Sequence, residues 1–160
     1  MRFGPLAARP VLEQDAAFLE QLYASTRHDL LHLPVPREVI DGITRHQQQL
    51  QTTGYRSAYP DAQFLLLEQL GAPVGRLVLH EAGGELRVVD IAITPAARRR
   101  GHARAVLRSL QERAARESAA LTLQVHKDNP NARGLYASLG FVVTAEDEVS
   151  EQLRWTPQNE

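Results

Sequence analysis

Apolar positions along the chain change period in a way that divides it into elements. Between Glu13 and Thr26, Ala16, Leu19, Leu22 and Tyr23 recur at helical spacing. Arg37 to Thr53 repeats that spacing with Val39, Ile40, Ile43 and Leu50, and Gly54 is placed to cap it. His28 to Pro36 separates the two, because Leu33-Pro34-Val35-Pro36 cannot continue a helix. Tyr55 to Pro60 reads as an irregular link.

After it the period shortens. Phe64-Leu65-Leu66-Leu67, Val74 to Glu81 and Leu86 to Ile93 read as three strands of a meander, joined at Gly71-Ala72-Pro73 and Gly83-Gly84. A helical stripe returns from Gly101 to Arg116 on Ala103, Val106, Leu107, Leu110 and Ala114. Leu121, Leu123 and Val125 alternate as a strand, and Asn131 to Ser138 is a short helix. Phe141 to Thr144 and Val149 to Trp155 form two more strands around Glu146-Asp147-Glu148. With a first strand over Phe3 to Val11, the pattern predicts one α/β (α+β) domain over residues 1–160. Its sheet is mixed, mostly antiparallel, of six to seven strands, flanked by about four helices.

Composition narrows the function classes. Hydrophobic content of 43% over 160 residues suits a domain with a real core. A net charge of -1 supplies no general pull toward nucleic acid or acidic lipid, so neither is expected as a partner. The chain has no cysteine, which removes disulfides, thiolate metal sites and a cysteine nucleophile. No apolar run approaches the roughly 20 residues that span a bilayer, and Met1 to Leu6 lacks a signal-peptide core, so a cytoplasmic location is expected. His28-Asp29-Leu30-Leu31-His32 has the two-histidine spacing of zinc proteases. It carries Asp where the base should be Glu, no third ligand, and a proline directly after; no metal is expected.

The candidate chemistry lies where the meander ends. Arg98-Arg99-Arg100-Gly101-His102-Ala103 follows a strand and opens a helix. Arginines and unpaired helix amides at such a start suit a phosphate. It is neither a Walker turn nor the dinucleotide fingerprint, since the Gly-Lys-Ser/Thr ending and the further glycines are missing. A second block, Asn129 to Phe141, contains Asn129, Ala132, Leu135-Tyr136 and Gly140-Phe141.

Together, in this order and separation, the two blocks resemble the GNAT superfamily of acyl-CoA-dependent N-acyltransferases. The resemblance spans about Leu86 to Phe141 and, with the flanking elements, nearly the whole chain. It implies acetyl-CoA as cofactor. Arg98, Arg99, Arg100, Gly101, His102 and Ala103 would then hold the pyrophosphate, and Ile91, Ala92 and Ile93 would pair with the pantetheine arm. Asn129 would reach the cofactor's pantetheine end, and Tyr136 would stand near the thioester sulfur. The family often has Gly where this chain has Arg99; with Gly101 kept, little cost is expected, and Arg99 and Arg100 are free to meet the 3′-phosphate.

The implied reaction is acetyl transfer to a primary amine on a small molecule or peptide. Tyr136 is the candidate acid, since a phenol with pKa about 10 is protonated at neutral pH. Asp90, on a face with Val88 and Ala92 by strict alternation, is the candidate base. It is equally placed to be a structural partner of Arg76. His126 or a water relay are the other routes for the proton. Tyr55 and Tyr59, with the Leu33–Pro36 loop, line the acceptor side or simply cap the sheet. A non-catalytic acyl-CoA-binding module is the rival reading, and a homodimer through the C-terminal strands is compatible with the fold.

Overall fold

The computed structural model describes residues 1–158. Eight strands form one sheet in the order β1-β2-β3-β4-β5-β6-β8-β7. They are β1 (Arg2–Phe3), β2 (Leu6–Pro10), β3 (Gln63–Gln69), β4 (Ala72–Ala82), β5 (Glu85–Ile93), β6 (Ala120–His126), β7 (Val142–Glu146) and β8 (Ser150–Trp155). All neighbours are antiparallel except β5 and β6, which α4 (His102–Arg116) connects. The other helices are α1 (Ala16–Ser25), α2 (His28–Leu31), α3 (Arg37–Ala58) and α5 (Pro130–Ser138). Among the described residues, no helix is long and apolar enough to cross a membrane.

Three expectations need correction. The strand count rises to eight because Gly4, with φ of 63°, turns the first segment back on itself and splits it into β1 and β2. The helix count rises to five because His28–Leu31 closes a turn before the proline-rich loop. The helix over Arg37 does not stop at Gly54. It runs to Ala58 and ends at Tyr59, whose non-helical backbone (φ -133°, ψ 76°) fits the bar that Pro60 sets against a helical conformation in the residue before it. Tyr55 therefore sits on a helix, not in a link.

The main core lies on one face of the sheet. Val106, Leu107, Leu110 and Ala114 of α4 are fully buried against Leu77, Leu79, Leu86, Leu121 and Leu123. Four of the five positions of the predicted stripe are thus buried; Ala103 is only half-buried and His102 is buried in the first turn instead. Leu107→Ala is expected to lower stability by about 3 kcal/mol, because it leaves a cavity in a well-packed layer; urea denaturation measures it. Helices α1 and α3 pack against each other, and α1 also rests on β4.

Two irregularities position the site. First, β5 pairs with β6 only from Glu85–Ala120 to Val88–Leu123, although β5 continues to Ile93 and β6 to His126. Beyond Val88 the strands part and leave a cleft. Second, the register of β4 against β5 jumps from Leu79–Val88 to Val78–Asp90, so Val89 is an extra, bulged residue. The bulge breaks the alternation. Val88, opposite Leu79, and Ile91, opposite Leu77, share the core face. Asp90 lies on the other face with Ala92, not with Val88 as strict alternation predicts.

Candidate active site

Two cavities meet at the cleft. One, of about 350 Å³, is walled by Arg98, Arg99, Gly101, His102, Ala103 and Arg104 with the end of β5. The other, of about 640 Å³, is walled by Thr26, Arg27, Gln51, Asp90, Gln124 and His126. Ile91, Asn129, Ala132 and Tyr136 belong to both walls.

The smaller cavity is built by the turn after β5. Pro95–Ala97 makes one 3-10 turn, and Arg98 is extended. Gly101 then adopts φ of 77° as the N-cap of α4, with no side chain capping the helix. The first backbone bond of α4 runs from the Ala105 N–H to the Gly101 carbonyl. The N–H groups of His102, Ala103 and Arg104 consequently have no helical acceptor, and their residues line the cavity. Both ring nitrogens of the buried His102 also lack a partner among the described residues. Among the described residues, no carboxylate lines this cavity. Cations, free amides and an unsatisfied imidazole form a donor set that fits a phosphate-bearing cofactor such as coenzyme A.

The arginines differ in their surroundings. Arg98 donates its Nε to the Ile93 carbonyl at 3.0 Å, bracing the turn against the strand. Arg99 adopts φ of 65°. That left-handed backbone costs a residue with a Cβ about 1 kcal/mol, so the replacement of Gly here is not free, contrary to expectation. Arg100 is exposed and lies outside both cavities.

Strand β5 offers backbone groups to the cleft. The Thr94 N–H bonds the Val74 carbonyl on β4. By antiparallel alternation, Ala92 likewise faces β4, while Ile91 and Ile93 turn their N–H groups toward the cleft. Gly75, paired with Ile93, allows this close approach: a Cβ there would lie 2.3 Å from the Ala92 carbonyl oxygen.

Tyr136 stands at the junction. Asn129, whose side chain accepts from the Ala132 N–H at 3.2 Å, starts α5 together with Pro130. That helix carries Tyr136 into the shared wall, edge-on to Phe141 with ring centroids 5.9 Å apart. Tyr136 is 8% exposed, and its hydroxyl has no hydrogen-bond partner among the described residues. Burial, with a smaller contribution from the Asp90 charge, pushes its pKa up to about 12.

Asp90 is ion-paired to Arg76 of β4, which is 6% exposed. Both Arg76 donors, Nε at 3.2 Å and a closer terminal nitrogen, go to Oδ2, leaving Oδ1 unclaimed. Gln51 of α3 accepts from the same guanidinium at 3.0 Å. Tyr55 lies behind this pair, its ring centre 5.9 Å from the Arg76 guanidinium carbon, and burial drives its phenol far above the usual range. Tyr59 stacks on His80 at 4.9 Å. Neither tyrosine, nor the Leu33–Pro36 loop, lines the acceptor-side cavity. His126 does, with its side chain 67% exposed and Nδ1 3.8 Å from Asp128.

The sequence reading missed Thr26, Arg27, Gln51 and Gln124. Arg27, forked onto Asp29 and also bonded to the Tyr23 hydroxyl, was hidden at a helix end. Gln51 was hidden in a glutamine-rich helix face. Only the position of Arg27 before the proline-rich break was a usable signal.

Comparison with known proteins places this geometry. A model of the Acetyltransferase (GNAT) family matches residues 17–141. No curated protein matches the sequence significantly. Solved structures share the fold at low identity. The PaiA N-acetyltransferase of Thermoplasma acidophilum, in complex with coenzyme A, has a TM-score of 0.68 at 15% identity, covering 95% of this chain and 99% of that one. Spermidine N-acetyltransferase of Vibrio cholerae, in complex with CoA and spermine, has a TM-score of 0.65 at 17% identity over 96% of each chain. The ribosomal-protein-S18-alanine N-acetyltransferase of Escherichia coli has a TM-score of 0.65 at 18% identity, covering 94% of this chain and 93% of that one. With the family model covering both the phosphate turn and the Tyr136 block, the chain belongs to the GNAT family of acetyltransferases.

Proposed function

We propose that this protein transfers the acetyl group of acetyl-CoA directly to a primary amine on a small molecule or peptide. The observation that carries the reading is the seat of Tyr136, an unpartnered phenol in the wall between a phosphate-suited cavity and a larger polar one. The structural relatives complexed with coenzyme A support the choice of cofactor. Those named for spermidine and for a ribosomal protein's alanine support an amine acceptor without naming one.

Acetyl-CoA supplies an activated acyl group on a thioester sulfur. Around it, the amides of His102 to Ala103 and the adjoining arginines hold negative charge, with Gly101 keeping the turn narrow. Ile91 and Ile93 direct N–H groups into the cleft, where one meets the carbonyl oxygen as charge develops on it. Asn129 keeps α5, and so Tyr136, in place. Tyr136 donates its proton to the departing sulfur. Oδ1 of Asp90 faces the acceptor amine, whose proton leaves through Asp90 or through water toward His126.

Calorimetry with acetyl-CoA is the first test, and absence of binding by the folded protein refutes the reading. Thiol release across an amine panel is the second. Binding without turnover on any amine would make the protein a non-catalytic module. The pH profile is a further prediction. A phenol with pKa raised to about 12 keeps its proton as pH rises and loses it only near that value. Turnover should therefore climb as the acceptor amine deprotonates, with no descending limb below about pH 11. A fall near pH 9 would mean that a different acid serves the sulfur.

A further inference from the structure

The larger cavity is a slot between two strand edges. Val88 to Ala92 of β5 wall one side, and Leu123 to His126 of β6 wall the other. Along β6 the backbone groups alternate between its two neighbours. The Ala120 N–H bonds the carbonyl of Gly84, the residue before β5, and the Lys127 N–H bonds the carbonyl of Val149, the residue before β8. Even-numbered residues of β6 therefore turn their N–H and C=O groups toward β5, and odd-numbered ones toward β8. Pairing with β5 ends at Val88–Leu123. Had it continued in register, Asp90 would lie opposite Val125, with its N–H on the Gln124 carbonyl and its carbonyl on the His126 N–H. The bulge at Val89 pairs Asp90 with Val78 of β4 instead. The Gln124 carbonyl and the His126 N–H thus face the slot with no strand partner among the described residues. The His126 carbonyl is already taken, by the Asn129 N–H at 3.1 Å.

We infer that this donor and acceptor pair with the main chain of the acceptor, and that the amine acetylated is the α-amine of a peptide N-terminus. The inference rests on the acetyl-transfer reading above. A free carbonyl and a free N–H two residues apart on one edge fit a single guest residue running parallel to β6, the pattern that β5 makes upstream. The guest gives its N–H to the Gln124 carbonyl and accepts the His126 N–H on its own carbonyl. An antiparallel guest would need both groups of one β6 residue. His126 has only its N–H to offer, and the register gives the Gln124 N–H to Val88. The donating guest N–H is an amide, so that residue is the second of its chain. Running parallel, the chain points its first residue toward the apex of the slot, where β5 and β6 part and Asp90 lines the wall. The rest of the chain leaves past His126. The pantetheine arm has the other edge, at Ile91 and Ile93, so the two ligands do not compete for backbone groups. A lysine side chain or a bare alkylamine has no amide beside its amine and leaves both β6 groups unpaired.

The test is thiol release from acetyl-CoA, expressed per deprotonated amine, with alanyl-alanine amide, alanyl-lactamide, Nα-acetyl-lysine amide and propylamine. Alanyl-lactamide is the ester analogue, with oxygen in place of the first amide N–H. kcat/KM for the dipeptide should exceed that for the ester about tenfold, the effect of one hydrogen bond lost to a carbonyl left without a donor. It should exceed that for the lysine and propylamine acceptors about thirtyfold, the effect of two. On the protein side, His126→Pro removes the N–H and His126→Ala keeps it. That N–H faces away from β8, so proline breaks no ladder bond. The dipeptide's advantage over propylamine should persist in His126→Ala and fall about fivefold in His126→Pro. The ratio within each variant cancels any part the imidazole plays in proton transfer. The acceptor series needs no substitution and decides the matter even if the proline variant misfolds. Equal rates for dipeptide and ester would overturn the inference. So would faster transfer to the lysine or propylamine acceptor, or an undiminished advantage in a folded His126→Pro. If acetyl-CoA binds and no acceptor releases thiol, the transfer reading itself fails and takes this inference with it, a result distinct from turnover that ignores the amide.

Discussion

Tyr136→Phe is expected to slow acetyl transfer about a hundredfold while leaving coenzyme A affinity within about twofold, the signature of losing a positioned proton donor. Steady-state thiol release and calorimetry on the same preparations measure the two effects. The substitution is unusually clean here. The hydroxyl bonds to no protein group among the described residues, so its removal orphans no partner. The ring remains, with its edge contact to Phe141. Stability should therefore change by less than about 0.5 kcal/mol. A rate that is unaffected would return Tyr136 to a packing role, and a matching loss of affinity would make it a wall of the cofactor site rather than an acid.

How far Tyr136 and its neighbours are legible in the amino-acid sequence follows from what each feature depends on. The α4 stripe was legible because Val106, Leu107, Leu110 and Ala114 are buried by one flat surface, and helical period alone then marks them. The turn at Gly101 was legible because its left-handed backbone favours glycine. Arg99 shares that backbone sign without being glycine, so its strain left no trace in the residue type. The bulge at Val89 was invisible for a different reason. Alternation is a property of pairing, and nothing in Val88-Val89-Asp90 says that β4 skips one residue there. That single skip put Asp90 and Val88 on opposite faces of the sheet. The extension of α3 past Gly54 shows the competition between a permissive glycine and a forbidding proline: Pro60 decided where the helix stops.

Asp90→Leu is expected to cost about 3 kcal/mol of stability, because it leaves the buried Arg76 guanidinium without its counter-charge. Gln51 remains as an acceptor to that guanidinium, but an amide oxygen does not replace a charge. Adding Arg76→Met should recover most of the loss, since an apolar pair of similar volume removes both desolvated charges together. The double variant then separates two roles that either single change confounds. If Asp90 only secures Arg76, a restored fold restores transfer. The geometry predicts otherwise. Arg76 claims Oδ2 alone, and Asp90 forms part of the acceptor-side wall with its side chain 22% exposed. Arg76 thus holds one carboxylate oxygen and takes no bond from the other, so the stable double variant should still transfer acetyl about a hundredfold more slowly. Urea denaturation and thiol release on all three variants supply the comparison. Recovery of both stability and rate would reduce Asp90 to a strut and leave His126, or water alone, to take the amine's proton.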